Sequence, residues 1–80
     1  MSKEKKIEYT VLHEWETVRY KDLKTAQIVR VITFTAMGLP PMWIEIPKEE
    51  YTIEKEKELV KKRLEAELGR KIEEEVARAR

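Results

Sequence analysis

The apolar residues change period at Thr52, and that change limits the chain to one class of fold. Upstream, hydrophobic and polar side chains alternate in runs bounded by turn residues, the two-residue period of half-buried strands. Downstream, residues 52–80 carry apolar side chains three or four apart among Glu, Lys and Arg, the period of an amphipathic helix. A chain of 80 residues makes a single domain with a small core. The expectation is an α+β fold: a three- to four-stranded antiparallel β-meander over 7–47, packed by one long C-terminal helix over 52–80, with 1–6 as a flexible N-terminus.

In the first strand Ile7, Tyr9, Val11, His13 and Trp15 fall on one side and Glu8, Thr10, Leu12 and Glu14 on the other. Val18 and Tyr20 then occupy even positions, so a bulge near Glu16 and Thr17, or a second short strand, is expected. Residues 20–25 contain Asp22 but no glycine, which predicts a hairpin loop longer than a two-residue turn. Residues 26–36 are dense in β-branched side chains and apolar on both faces from Ile28 to Phe34, as in a central strand. Met37-Gly38-Leu39-Pro40-Pro41 breaks that strand. In the next one Met42, Ile44 and Ile46 face a core, Trp43 and Glu45 face away, and Pro47 ends it. A turn at Asp22 and Leu23 would set Val11 opposite Phe34, His13 opposite Ile32 and Trp15 opposite Arg30.

Thr52 reads as an N-cap, with Glu54 and Glu56 near the positive end of the helix dipole; Lys55 at the third position precludes a capping box. Glu58 with Lys62, Glu67 with Lys71, and Glu74 with Arg78 are spaced as i, i+4 ion pairs. Ile53, Val60 and Leu64 form a stripe suited to covering the sheet, interrupted by Lys57. Leu68, Ile72 and Val76 drift away from that stripe. Gly69, at the junction, marks a C-cap, a kink or a close backbone approach.

Catalysis finds little material. The sequence holds one His, one Asp, one Ser and no Cys, and its two glycines form no phosphate loop. His13 with Glu14 and Glu16 supplies only part of a nucleophile-activating set, and Glu73, Glu74 and Glu75 diverge around a helix. The expectation is therefore no enzyme, with no catalytic, cofactor-binding or metal-ligating residues and no cofactor. No apolar run approaches the roughly 18 residues of a membrane span, and no secretion signal is evident, so the chain reads as cytoplasmic with no membrane contact. Charged residues make up 41% of the chain, nearly all Glu, Lys and Arg, a thermophile-like balance. The net charge of +1 lacks the excess that draws nonspecific binders to nucleic acid.

Two classes of interaction remain. A helix over 52–80 would be about 43 Å long, more than a short sheet covers. Its far end, with Leu68, Ile72, Val76 and Ala79, is the expected self-association surface of a homodimer. Trp43 beside Leu39-Pro40-Pro41 could anchor a protein partner. The alternative is a nucleic-acid-binding module using the cationic and aromatic side chains of the first hairpin, Trp15, Arg19, Tyr20, Lys21, Lys24 and Arg30. The preferred reading is a small non-catalytic interaction module that self-associates.

Overall fold

The alternating half of the chain forms three antiparallel strands, and the helical half forms one helix and then, unexpectedly, a fourth strand. The computed structural model describes residues 6–79. Residues 1–5 of the expected N-terminal segment, together with residue 80, lie outside the described residues, and Lys6 already belongs to the first strand. The elements are β1 (Lys6–Tyr20), β2 (Ala26–Ala36), β3 (Met42–Pro47), a 3-10 turn at Lys48–Glu50, α1 (Ile53–Leu68) and β4 (Glu75–Arg78). They build one sheet in the order β3-β2-β1-β4. β2 is antiparallel to both β1 and β3, while β4 lies parallel to β1. β3 and β4 therefore run in the same direction, and α1 carries the chain from one edge of the sheet to the other across one face.

The tail helix expected over 52–80 is thus cut short, by the first of the three roles open to Gly69. Gly69 adopts φ 71° and ψ 22°, and its N–H donates to Glu65 O at 2.9 Å, so it is a left-handed C-cap rather than a kink. The Ile72 N–H then donates to Glu65 Oε2 at 2.9 Å, tying the returning chain to the helix it has just left. Residues spaced four apart share one side of a helix roughly and one side of a strand fully, so Ile72 and Val76 suit either state. The open edge of β1 decides between them, because pairing Lys6–Tyr9 with Glu75–Arg78 satisfies backbone groups on both strands. Thr52 caps α1 as expected, accepting the Lys55 N–H at 3.0 Å.

The register of β1 against β2 agrees with expectation at Val11–Phe34 and then shifts. The bulge lies at Leu12 rather than at Glu16 and Thr17, so His13 pairs with Thr33 and Trp15 with Val31. One extra residue exchanges the two faces. Ile7, Tyr9 and Val11 face α1 before the bulge; Glu14, Glu16, Val18 and Tyr20 face that side after it. The core lies between this face and α1, built on Tyr9, Ile32, Phe34, Met42, Ile44 and Ile46 from the strands, Val60 and Leu64 from the helix, and Ile72 and Val76 from the returning chain. Ile53, expected in the helical stripe, is exposed, and Glu56 takes the buried position one turn before Val60.

The two hairpins turn by different chemistry. Met37 and Gly38 both have positive φ, 55° and 72°, and the Leu39 N–H closes on Ala36 O at 3.0 Å, the geometry of a primed turn that matches strand twist. The glycine-free loop between β1 and β2 is held by Asp22, whose Oδ1 accepts the N–H groups of Lys24 and Thr25, both at 2.8 Å.

Candidate functional site

The densest polar constellation is buried under α1. Glu56 is fully buried, and both of its oxygens are used. Oε1 accepts from the Tyr51 hydroxyl at 2.6 Å and Arg78 Nη2 at 2.6 Å, and Oε2 accepts from Arg78 Nε at 3.1 Å and from the Tyr9 hydroxyl. Arg78 Nη1 continues to Glu14 Oε1 at 2.8 Å, and Arg30 donates to Glu14 Oε2 from Nε at 3.0 Å and Nη2 at 2.5 Å. The Arg30 guanidinium lies over the Tyr51 ring, 4.7 Å from its centroid. The network draws on β1, β2, α1, β4 and the residue between the 3-10 turn and α1, and it balances two carboxylates against two guanidiniums. Glu56 is out of water while Glu14, Arg30 and Arg78 stay part-exposed, and a buried charge persists only when paired and hydrogen-bonded, which Glu56 is.

Burial pushes the Glu56 carboxyl upward, but hydrogen bonds from Arg78, Tyr51 and Tyr9 and the Arg78 charge outweigh it and hold the group below the usual glutamate range. Glu14 behaves alike: burial raises it, and the Arg78 and Arg30 guanidiniums bring it down further. Tyr9 is pushed well above an ordinary phenol, first by burial and then by the Glu56 carboxylate. The hydrogen bonds to Glu56, helped by the one to Glu14, raise Arg78 against the opposing effect of burial. These shifts favour the ionised forms of Glu56, Glu14 and Arg78 and the protonated form of Tyr9, as in a structural clamp. Carboxylates depressed in the folded state add stability that is present above their unfolded pKa and lost as pH falls through the folded one. The denaturant midpoint should therefore be flat from pH 7 down to about the ordinary glutamate value, then fall as the pH drops through the depressed pKa values of Glu56 and Glu14. A midpoint unchanged at pH 2 to 3 would show that the clamp contributes nothing.

Among the described residues the opposite sheet face carries no helix. Trp15 and Trp43 stand on it partly exposed, with the His13 and Trp15 ring centroids 4.9 Å apart. Beneath them Val29 and Val31 are buried by their strand neighbours. Arg19 reaches across β2 to Glu45, donating to its two oxygens at 3.1 and 2.7 Å. The Arg63 guanidinium comes round the edge of β3 to lie 5.7 Å from the Trp43 centroid.

Beyond this body the β1–β2 hairpin projects as a two-stranded arm. β3 pairs with β2 only over residues 29–34 and β4 with β1 only over residues 6–9, so the end of the hairpin, residues 18–28, has no sheet neighbour on either side among the described residues. The molecule is accordingly 55 Å long and only 23 by 22 Å across. On the helix side of the arm Val18 and Ile28 form a cross-strand pair, each 46% exposed, next to Tyr20 at 74%. Leu23 at the tip is fully exposed.

The structure scatters the residues expected to act together. Of the self-association set, Ile72 and Val76 are inside the protein's own core, Leu68 packs against it and Ala79 follows β4 with its N–H on Tyr9 O at 2.8 Å. Burial in this core removes Ile72 and Val76 from the surface on which they were expected. Trp43 is exposed, facing away from the core as the alternation of its strand predicts. Of the nucleic-acid set, Trp15 and Arg19 lie on the helix-free face, Tyr20 on the helix side of the arm, Lys21 and Lys24 in its loop, and Arg30 is committed to Glu14 rather than to Trp15. Sequence reasoning missed Glu56 and Arg78 as partners, because a glutamate in a first helical turn and an arginine in a charged tail look solvated.

Among the described residues no three His, Asp or Glu side chains are arranged to hold a metal ion, and no helix is long and apolar enough to cross a membrane. No protein-family model, curated protein or solved structure matches this chain.

Proposed function

We propose that this protein is a non-catalytic interaction module that self-associates, and that the β1–β2 arm makes the contact. The observation that carries the reading is the pair Val18 and Ile28, apolar and half-exposed on a ribbon that neither α1 nor β3 covers. A lone two-stranded hairpin is marginally stable in water, so an arm of this length gains from a partner surface. Covering Val18, Ile28 and Tyr20 removes apolar area at about 25 cal/mol per Å2. A net charge of +1 sets little repulsion between copies.

Light scattering at low micromolar concentration is expected to give twice the 9.6 kDa chain mass. Val18→Glu should return the protein to a monomer, weakening association by roughly 100-fold or more, with the far-ultraviolet circular dichroism unchanged because the residue is half-exposed already. A wild-type protein that stays monomeric up to about 100 μM, a concentration at which contacts worth about 5–6 kcal/mol would show, contradicts the proposal.

A further inference from the structure

We infer that two copies join through the open edge of β1, antiparallel and two-fold symmetric about Thr17, merging their sheets into one. This inference rests on the self-association proposed above and names its mode.

An unpaired strand edge is a template for another strand, and proteins that stay monomeric guard such edges with prolines, bulges or free charges. From residue 13 to residue 20, β1 has no proline, its register against β2 is unbroken, and no β4 residue pairs with it. Its charges do not guard it either. Glu14 is turned inward onto Arg30 and Arg78, Glu16 pairs with Lys48 at 3.6 Å, and Arg19 reaches across the sheet to Glu45. The backbone direction is set by Lys21, whose N–H points into the hairpin at Thr25 O. By alternation Glu14, Glu16, Val18 and Tyr20 present their N–H and C=O groups to the open side.

Side-chain charge selects the register. A two-fold axis at Trp15 would set Glu14 opposite Glu16 of the second copy, and an axis at Glu16 would set that residue opposite itself, like charges that disfavour pairing. An axis at Thr17 sets Glu14 opposite Tyr20, Glu16 opposite Val18 and Trp15 opposite Arg19, so carboxylate meets phenol, methyls meet the aliphatic part of a glutamate, and a cation meets an indole face. An axis at Val18 also avoids like charges but leaves Glu14 without a partner and shortens the ladder. The Thr17 register is the longest that places no two like charges together.

In this register Thr17 faces its own copy in a pair without backbone hydrogen bonds, where Cα atoms approach to about 4.5 Å, within disulfide reach. The chain has no cysteine, so each introduced thiol reports alone. Thr17→Cys, mildly oxidised at a concentration where the wild type is dimeric, is expected to cross-link at least tenfold faster than Leu23→Cys, whose thiol at the exposed tip measures chance collision. Trp15→Cys and Arg19→Cys should cross-link when mixed and not when alone. A wild-type dimer in which Thr17→Cys reacts no faster than Leu23→Cys overturns the edge pairing and leaves self-association standing through another surface. A wild-type monomer overturns both.

Discussion

Glu56→Ala is expected to unfold the protein or lower its melting temperature by roughly 15 °C or more, measured by thermal circular dichroism. The substitution removes a fully buried carboxylate that accepts from Tyr9, Tyr51 and twice from Arg78. It leaves a guanidinium part-buried and short of its main counter-charge, together with a buried tyrosine hydroxyl that has lost its acceptor. Removing one partner of a buried ion pair costs about 3–5 kcal/mol, and each kcal/mol lowers the melting temperature of a domain this size by about 4–8 °C. Tyr9→Phe, which deletes a single donor, should cost only about 1–2 kcal/mol. Replacing Glu56 and Arg78 together by Leu and Met should recover most of the loss, since an apolar substitute for a whole buried pair is often neutral. A melting temperature within about 5 °C of the wild type for Glu56→Ala would show that the clamp does not hold β4 on the sheet.

Ile72→Glu is expected to abolish folding rather than association. Ile72 is nearly fully buried at the point where the chain leaves α1 for β4, packed in the main core. An ionised carboxylate placed there lies among apolar side chains and costs about 4 kcal/mol or more, comparable to the whole stability of a small domain. Far-ultraviolet circular dichroism should report a largely unfolded chain. Leu68→Glu, at a half-buried position, should destabilise less. If Ile72→Glu instead stayed folded and changed only the mass in light scattering, the segment after Gly69 would be an association surface after all. Val18→Glu should give the opposite pattern, a folded protein with lost association, so the two variants test core against contact.

The contrast between these two positions shows where sequence reasoning reached. Both are apolar residues in charged surroundings, and periodicity assigned Ile72 to a surface and Val18 to a half-buried strand. Ile72 is buried and Val18 is half-exposed because burial depends on what packs opposite, and only topology supplies that. The Leu12 bulge has the same effect on Glu14. Strict alternation places this residue with Glu8 and Thr10 on the solvent side, yet one inserted residue turns it under α1 beside Arg30 and Arg78. The aromatic and cationic hairpin set was legible as residues near one another in sequence. Its division between two faces and a loop was not, since the two sides of a ribbon are separated by parity and the bulge altered the parity.

Local chemistry determined much of this protein without reference to the fold. Alternation set the start of β1 and the inward face of Met42, Ile44 and Ile46 in β3; β-branched density marked β2; Thr52 began the helix; Asp22 and Gly38 made the turns. Each rests on interactions within a few residues, which a sequence displays directly. Tertiary structure decided that the chain after Gly69 becomes a strand, that this strand runs parallel to β1, and that Glu56 is buried with Arg78, 22 positions away. A spacing of four serves helix and strand alike, so the choice fell to the unpaired edge of β1. The buried carboxylate is stable only because that choice brings its guanidinium within 2.6 Å.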